Sequence, residues 1–127
     1  MAVPARILVV EDNEVNLMVF TDILSAAGYQ VLAAKTAEEC FAVAAKESPD
    51  LILMDIQLPG MDGLEAVKAL KANPTTSAIP VVALTAHAMP SHRERAIEAG
   101  CSGFITKPIR SRNFREEVQG HLEGRKA

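Results

Sequence analysis

The chain contains little of the material that nucleic-acid, sugar or membrane binding requires. Tryptophan is absent and Tyr29 is the only tyrosine, so few aromatic rings are available to stack on bases or sugars. The formal net charge is -3, and no lysine- and arginine-rich stripe marks a nucleic-acid surface. The apolar runs have the length of a strand, and the opening residues MAVPAR lack the long apolar core of a signal peptide. We therefore expect a cytoplasmic protein without membrane insertion, whose partners are proteins or small ions.

The two cysteines, Cys40 and Cys101, show neither a CxxC motif nor a spacing typical of metal ligands. Isolated thiols in such a chain are more often small core residues, and we interpret both in that way. At 127 residues the chain has the size of one domain. We expect a single domain over residues 1–127 and no output domain.

Strand-like apolar runs alternate with helical segments from one end of the chain to the other. The predicted strands are Arg6–Val10, Tyr29–Ala34, Asp50–Met54, Ile79–Leu84 and Gly103–Thr106. The predicted helices are Glu14–Ala27, Ala37–Glu47, Leu64–Ala72, a segment from Pro90 to Gly100, and Asn113–Leu122. Five such units predict an α/β fold with a doubly wound parallel sheet, and the strand order 2-1-3-4-5 fits this length.

Polar residues suited to phosphate chemistry follow or end four of these strands. Glu11 and Asp12 follow the first strand, Asp55 the third, Thr85 the fourth and Lys107 the fifth. In the order 2-1-3-4-5 the first strand lies beside the third, so the three acids meet where the strand order reverses, which is where open parallel sheets bind ligands. Each residue alone is ordinary as a helix cap or a solvated side chain, but their coincidence at one edge indicates a site.

The chemistry of this set favours a hard divalent cation and a phosphoryl group. Converging carboxylates repel one another unless a cation neutralises them, and a ligand set of oxygens suits Mg²⁺ better than zinc. Asp12 and Asp55 are the candidate direct ligands, with Glu11 acting directly or through water. Asp55, at the tip of a central strand, is the candidate nucleophile for a phosphoryl group. Lys107 and Thr85 are placed to contact the transferred oxygens.

Four motifs carry a family resemblance over nearly the whole chain. They are Glu11-Asp12-Asn13, Asp55 followed by IQLPGMDG, Thr85-Ala86 and Lys107-Pro108. As an ordered set they resemble the receiver domains of two-component response regulators. The combination of EDNEVN, MDIQLPGMDG and LTAHAM is similar to DivK-type single-domain regulators and to the receivers of hybrid histidine kinases.

The resemblance implies a flavodoxin-like three-layer sandwich in which Asp55 accepts a phosphoryl group from a histidine kinase or a histidine phosphotransfer protein. It implies that Asp12, Asp55 and the Gln57 main-chain carbonyl bind Mg²⁺, that Glu11 supports the metal, and that Thr85 and Lys107 contact the phosphoryl group. The output is then a contact with a downstream protein. A receiver cut from a hybrid histidine kinase would carry the same motifs and is kept as the alternative, but we favour a free-standing regulator.

The resemblance also suggests how the domain switches and how it loses phosphate. Thr85 and Phe104 are the expected switch pair, although many receivers carry tyrosine where this chain has Phe104. Because phenylalanine has no hydroxyl, the switch would depend on packing alone, or Phe104 is an ordinary core residue. Gln57 and His87 flank the path of the attacking water in receivers, and since neither is an obvious base we expect slow dephosphorylation.

The first helix offers a candidate partner surface. Its predicted buried stripe is Asn16, Val19, Phe20, Ile23, Leu24 and Ala27. This stripe leaves Leu17 and Met18 facing outward beside the acidic site, and we interpret them as a hydrophobic anchor for a partner helix.

Two other protein classes share parts of this pattern. A Mg²⁺-dependent phosphatase of the haloacid-dehalogenase type also forms an aspartyl phosphate, but it needs a second aspartate where this chain has Gln57. A flavodoxin-like flavin carrier holds phosphate in a Ser/Thr/Gly loop after the first strand. Here that loop is Glu11-Asp12-Asn13, which would repel phosphate unless a metal intervened.

Overall fold

The structure is a computed structural model that describes residues 5–55, 63–85, 90–106, 116 and 118–120. Its centre is a five-stranded sheet in which every neighbouring pair is parallel, in the order β2-β1-β3-β4-β5. The strands are β1 (Arg6–Val10), β2 (Gln30–Ala34), β3 (Leu51–Asp55), β4 (Val81–Thr85) and β5 (Gly103–Thr106). The predicted strand order is therefore confirmed.

Four helices are described in full and alternate with the strands. They are α1 (Glu14–Ala26), α2 (Ala37–Glu47), α3 (Gly63–Ala72) and α4 (Pro90–Ala99), each within one residue of its predicted bounds at either end. Of the predicted last helix, the four residues that the structure describes are helical. Among the described residues, no helix is both long enough and apolar enough to cross a membrane.

Local signals set where the first two helices begin. Asn13 caps α1, because its side-chain oxygen accepts a hydrogen bond from the main-chain N–H of Asn16 at 3.0 Å. Thr36 caps α2 in the same way through the N–H of Glu39 at 3.1 Å. Only three residues separate the end of β1 from the start of α1, so the first turn of α1 lies near the carboxyl end of the sheet.

Alternate residues of the central strands contribute to two separate apolar layers, as expected for a sheet covered on both faces. Leu8, Ile52 and Ala83 pack in the layer that includes buried residues of α2, α3 and α4. The opposite layer includes Phe20 and Leu24 of α1 together with Val118. The result is the expected three-layer sandwich.

Cys40 and Cys101 are both free and buried. Both lie in the layer that α2, α3 and α4 cover. Burial raises the pKa of the Cys40 thiol to about 12 and that of the Cys101 thiol to about 11. The interpretation of both as core residues is confirmed.

The predicted buried stripe of α1 is wrong in its phase. Phe20 and Leu24 are buried as expected, but three members of the stripe are exposed instead: Asn16, Val19 and Ala27. Leu17, which we expected to face outward, packs partly against the apolar layer beneath α1. Since apolar residues occur on nearly every side of this helix, their spacing could not determine which side meets the sheet.

Candidate functional site

Three acidic side chains meet at the carboxyl edge of the sheet. Val10 of β1 is in register with Met54 of β3, so Glu11 and Asp55, each one residue further along, leave adjacent strands at the same level. Glu11, Asp12 and Asp55 each offer a carboxylate oxygen, and these oxygens all lie within 4.8 Å of one another. The reversal of strand order at β1 and β3 therefore brings the acids together at the kind of edge where doubly wound sheets bind ligands.

The three acids differ in their access to water. Glu11 is fully buried, Asp55 is 4% exposed, and Asp12 is exposed. Burying a carboxylate removes it from water and is costly unless polar or charged groups compensate. The arrangement thus buries two of the carboxyl groups in the protein and leaves one side of the cluster open to solvent, where an ion or a small substrate can enter.

Glu11 is held from two directions. Its main-chain N–H donates to the carbonyl of Ala34 at 3.0 Å, which continues the pairing of β1 with β2 by one residue. Its Oε1 accepts a hydrogen bond from the side-chain amide of Asn16 at 2.9 Å. Asn16 was missing from the sequence-based set of site residues because it was assigned to the buried stripe of α1.

A signal for Asn16 does exist in the sequence. Asn13 is the N-cap of α1 and Asn16 is its third residue, the position from which side chains reach back over the preceding chain in a capping box. In this protein the side chain reaches beyond the cap residue to Glu11.

An ion pair connects the end of β2 to the first turn of α1. Lys35 follows β2, and its Nζ donates to Oε1 of Glu14 in the first turn of α1 at 2.6 Å. This hydrogen bond lowers the pKa of Glu14 and raises that of Lys35. Both side chains are exposed, so the pair adds little stability. It does keep the Lys35 ammonium engaged at the end of β2.

The donor set fits a hard divalent cation. All three convergent groups are carboxylates, and oxygen ligands are those that Mg²⁺ prefers in proteins. A cation at this place would neutralise charges that otherwise repel one another. Glu11, Asp12 and Asp55 are the described residues that would hold it.

Of the other residues predicted for the phosphoryl site, the structure describes only the main chain of Thr85. The main chain of Thr85 ends β4 at the same edge, since Leu84 is in register with Asp55 of β3. Gln57, His87 and Lys107 lie outside the described residues.

Phe104 lies on β5 in register with Ala83 of β4. It is partly buried and packs against the apolar layer under α2, α3 and α4. This position is compatible with either of the interpretations made from the sequence, a switch residue or a core residue.

The outward face of α1 differs from the predicted one. Val15 is 68% exposed, Met18 is 63% exposed and Val19 is 43% exposed, and their spacing of three and four residues places them on one side of the helix. Met18 is therefore exposed as expected, whereas Leu17 is turned partly toward the sheet. We call Val15, Met18 and Val19 the α1 patch.

Comparison with known proteins gives a consistent result. Residues 7–119 match the family model of the response regulator receiver domain. The polar-differentiation response regulator DivK of Brucella anthropi is 42% identical over 119 residues, which cover 94% of this chain and 97% of that protein. DivK of Brucella ovis is 42% identical over 116 residues, covering 91% of this chain and 94% of that protein.

Solved structures agree with this comparison. A putative response regulator from Chloroflexus aurantiacus has a TM-score of 0.90 at 30% identity and covers 95% of this chain and 99% of its own. The receiver domain of a sensor histidine kinase from Pseudomonas aeruginosa has a TM-score of 0.87 at 31% identity, with coverages of 95% and 99%. That domain holds a magnesium ion in its active-site cleft.

Proposed function

Because this chain belongs to the response regulator receiver domain family, we propose that it is a cytoplasmic signalling switch that accepts a phosphoryl group on Asp55. The donor is a histidine kinase or a histidine phosphotransfer protein, and the output is a contact with a downstream protein. The observation that carries the proposal is the convergence of three carboxylates within 4.8 Å at the tips of β1 and β3.

Asp55 is better suited than Asp12 to be the phosphoacceptor. It ends β3, which is paired on both sides and buried along its whole length, so its main chain is held rigidly. Asp12 lies beyond the end of β1 and is exposed. A nucleophile gains most from a fixed position, because the reacting atoms must be aligned before the phosphoryl group can transfer.

Mg²⁺ is the proposed cofactor, held by Asp12, Asp55 and the Gln57 carbonyl, with Glu11 in support. When bound, it supplies positive charge that offsets the acids and the phosphoryl oxygens. A carboxylate oxygen of Asp55 then attacks the phosphorus of the donor phosphohistidine. The new O–P bond forms as the N–P bond breaks, and the electron pair of that bond stays with the imidazole nitrogen.

Residues in or after β3, β4 and β5 have further proposed roles. Lys107 pairs with the transferred phosphoryl oxygens, and the Thr85 hydroxyl moves toward them, which opens space that Phe104 fills. Because Phe104 has no hydroxyl, this switch works through packing. Gln57 and His87 flank the path of the hydrolytic water. Because glutamine cannot take a proton and we interpret His87 as a solvated loop residue, neither acts as a base, and we expect slow loss of phosphate.

The α1 patch is the proposed docking surface for the phosphodonor. It begins at Val15, only three residues after Asp12, so a partner helix seated on it presents its phosphohistidine at the open side of the acid cluster. Exposed methionine adapts to the surface that it meets. The patch replaces the Leu17 and Met18 pair that the sequence suggested.

Docking can be separated from chemistry in one experiment. Met18→Lys should slow phosphotransfer from the cognate donor about 10-fold or more while sparing phosphorylation by acetyl phosphate, which needs no docking surface. The matched control is Ile97→Lys, which adds the same charge at an exposed apolar residue of α4. Equal rates for Met18→Lys and the control with the protein donor would show that the partner docks elsewhere.

The central test is the intact mass of the protein after treatment with acetyl phosphate and Mg²⁺. The wild type should gain one phosphoryl group, and Asp55→Asn should gain none. The same treatment with a chelator should leave the wild type unmodified. Modification of Asp55→Asn would refute the assignment, and release of phosphate far beyond one equivalent per chain would favour the phosphatase.

A further inference from the structure

We propose that Asn16 is a positioning residue for the metal site, because its side-chain amide holds the buried Glu11 carboxylate in the orientation that Mg²⁺ binding needs. This inference rests on the proposed function, which places Mg²⁺ among the three acids. It adds a residue that touches neither the phosphoryl group nor the ion and acts through Glu11.

The first supporting observation is the contact itself. Nδ2 of Asn16 donates to Oε1 of Glu11 at 2.9 Å, and Glu11 is fully buried. An oxygen of the same carboxylate group lies within 4.8 Å of carboxylate oxygens of Asp12 and Asp55. Repulsion from those two acids would turn the Glu11 carboxylate away from them, and a hydrogen bond to one of its oxygens opposes that rotation.

The second observation is that Asn16 is itself fixed. Its main-chain N–H donates to Oδ1 of Asn13, the N-cap of α1, at 3.0 Å. The main chain of Glu11 is in turn tied to β2 through Ala34. A small network of hydrogen bonds therefore connects the end of β1 to the start of α1. Both the donor and the acceptor of the Asn16–Glu11 hydrogen bond are held in place by it.

The chemistry of the amide explains why asparagine suits this position. An amide N–H orients a carboxylate without neutralising it, so the charge of Glu11 remains available to a cation. A lysine here would compensate the acids itself and compete with the metal. Lys35, which follows β2, is paired instead with Glu14 at 2.6 Å. Groups that orient metal ligands in this way typically change metal affinity about 10–100-fold when they are removed.

The experiment is a double-mutant cycle on Mg²⁺ affinity, measured by titration calorimetry on wild type, Asn16→Ala, Glu11→Gln and the double variant. Asn16→Ala should weaken Mg²⁺ binding about 10-fold in the wild-type background. In the Glu11→Gln background the same change should alter affinity by less than about 2-fold, because the carboxylate through which Asn16 acts is gone.

Two further variants keep the interpretation clear. Asn16→Leu removes the donor but preserves most of the side-chain volume, and it should weaken binding as much as Asn16→Ala. Ser25→Ala, at an exposed position near the other end of α1, should leave affinity unchanged. Because Asn16 is exposed and alanine is the best helix former, Asn16→Ala should fold, which circular dichroism checks.

The outcomes are distinct. If Asn16→Ala binds Mg²⁺ as tightly as the wild type, the inference is wrong while the proposed metal site stands. If Asn16→Ala weakens Mg²⁺ binding by the same factor in both backgrounds, Asn16 acts on the fold and not through Glu11, which also overturns the inference. If the wild type binds no Mg²⁺, the metal site of the proposed function fails, and the inference that rests on it fails as well.

Discussion

Replacing Asp12 with asparagine should make the metal-free protein more stable. The carboxylate oxygens of the three acids lie within 4.8 Å of one another, and at that distance two unit charges repel by about 3.5 kcal/mol at an effective dielectric constant of about 20. Asp12 has two such neighbours, but it is exposed, and water and salt screen most of the repulsion. We therefore expect a gain of about 1–2 kcal/mol in the free energy of unfolding.

The same substitution should weaken stabilisation by Mg²⁺. A bound ion at 100 times its dissociation constant stabilises a folded protein by about 2.7 kcal/mol, and Mg²⁺ should raise the unfolding free energy of the wild type by a similar amount. Asp12→Asn lacks one of the proposed metal-binding carboxylates, so Mg²⁺ should stabilise it much less. Urea unfolding should thus rank the variant above the wild type with a chelator present and below it with saturating Mg²⁺.

Asp22→Asn is the matched control, since Asp22 is an exposed acid of α1 outside the three-acid cluster. It changes the charge of the protein by the same amount and should show no reversal of rank. If Asp12→Asn is no more stable than the wild type in chelator, the reasoning about repulsion is wrong. If Mg²⁺ stabilises both proteins equally, Asp12 is not part of the metal site.

Four further predictions test other parts of the molecule. Thr85→Ala should still accept a phosphoryl group from acetyl phosphate but lose most of the phosphorylation-dependent change in affinity for its downstream partner, measured by fluorescence anisotropy. If the affinity still changes as much as in the wild type, the proposed switch is wrong. Burial raises the pKa of Cys40 to about 12 and of Cys101 to about 11, so a thiol reagent should modify them only as fast as the protein unfolds. Because these pKa values exceed the ordinary value of 9.0, the two buried thiols should contribute fully to stability below pH 9. That contribution should decline as the pH rises above 9, which urea unfolding at a series of pH values measures. Gly100→Ala should destabilise the protein by about 2–4 kcal/mol, because Gly100 has a φ of +114° and a new Cβ would lie 2.8 Å from Cγ of Lys71. Gly28→Ala should cost only about 1–2 kcal/mol, because Gly28 has a φ of +96° but open space around it. Equal losses of stability in urea unfolding would contradict the steric argument.

Much of the site could be predicted because its residues follow strands that the sequence marks clearly. A continuous apolar run such as Leu51–Met54 is typical of a strand buried on both faces, and the residue after it must lie at the sheet edge. The alternation of strands and helices then limits the possible topologies to a few. Placing Glu11, Asp12 and Asp55 together therefore needed only the strand order.

The orientation of α1 could not be predicted in the same way. Val15, Met18 and Val19 are as apolar as several of the residues that the helix buries, so the apolar spacing was compatible with more than one rotation about the helix axis. The rotation is set by the cap at Asn13 and by the packing of Leu17, Phe20 and Leu24 against the sheet.

By itself, the sequence determined the fold class, the strand order and the acids at the site, because these depend on local pattern and on general rules of chain connection. Tertiary structure alone decided that Asn16 donates to Glu11, that Lys35 pairs with Glu14, and which side of α1 faces outward. Each of these depends on the rotation of a helix relative to a strand. That rotation results from many packing contacts acting at once, and the order of residues along one segment does not record it.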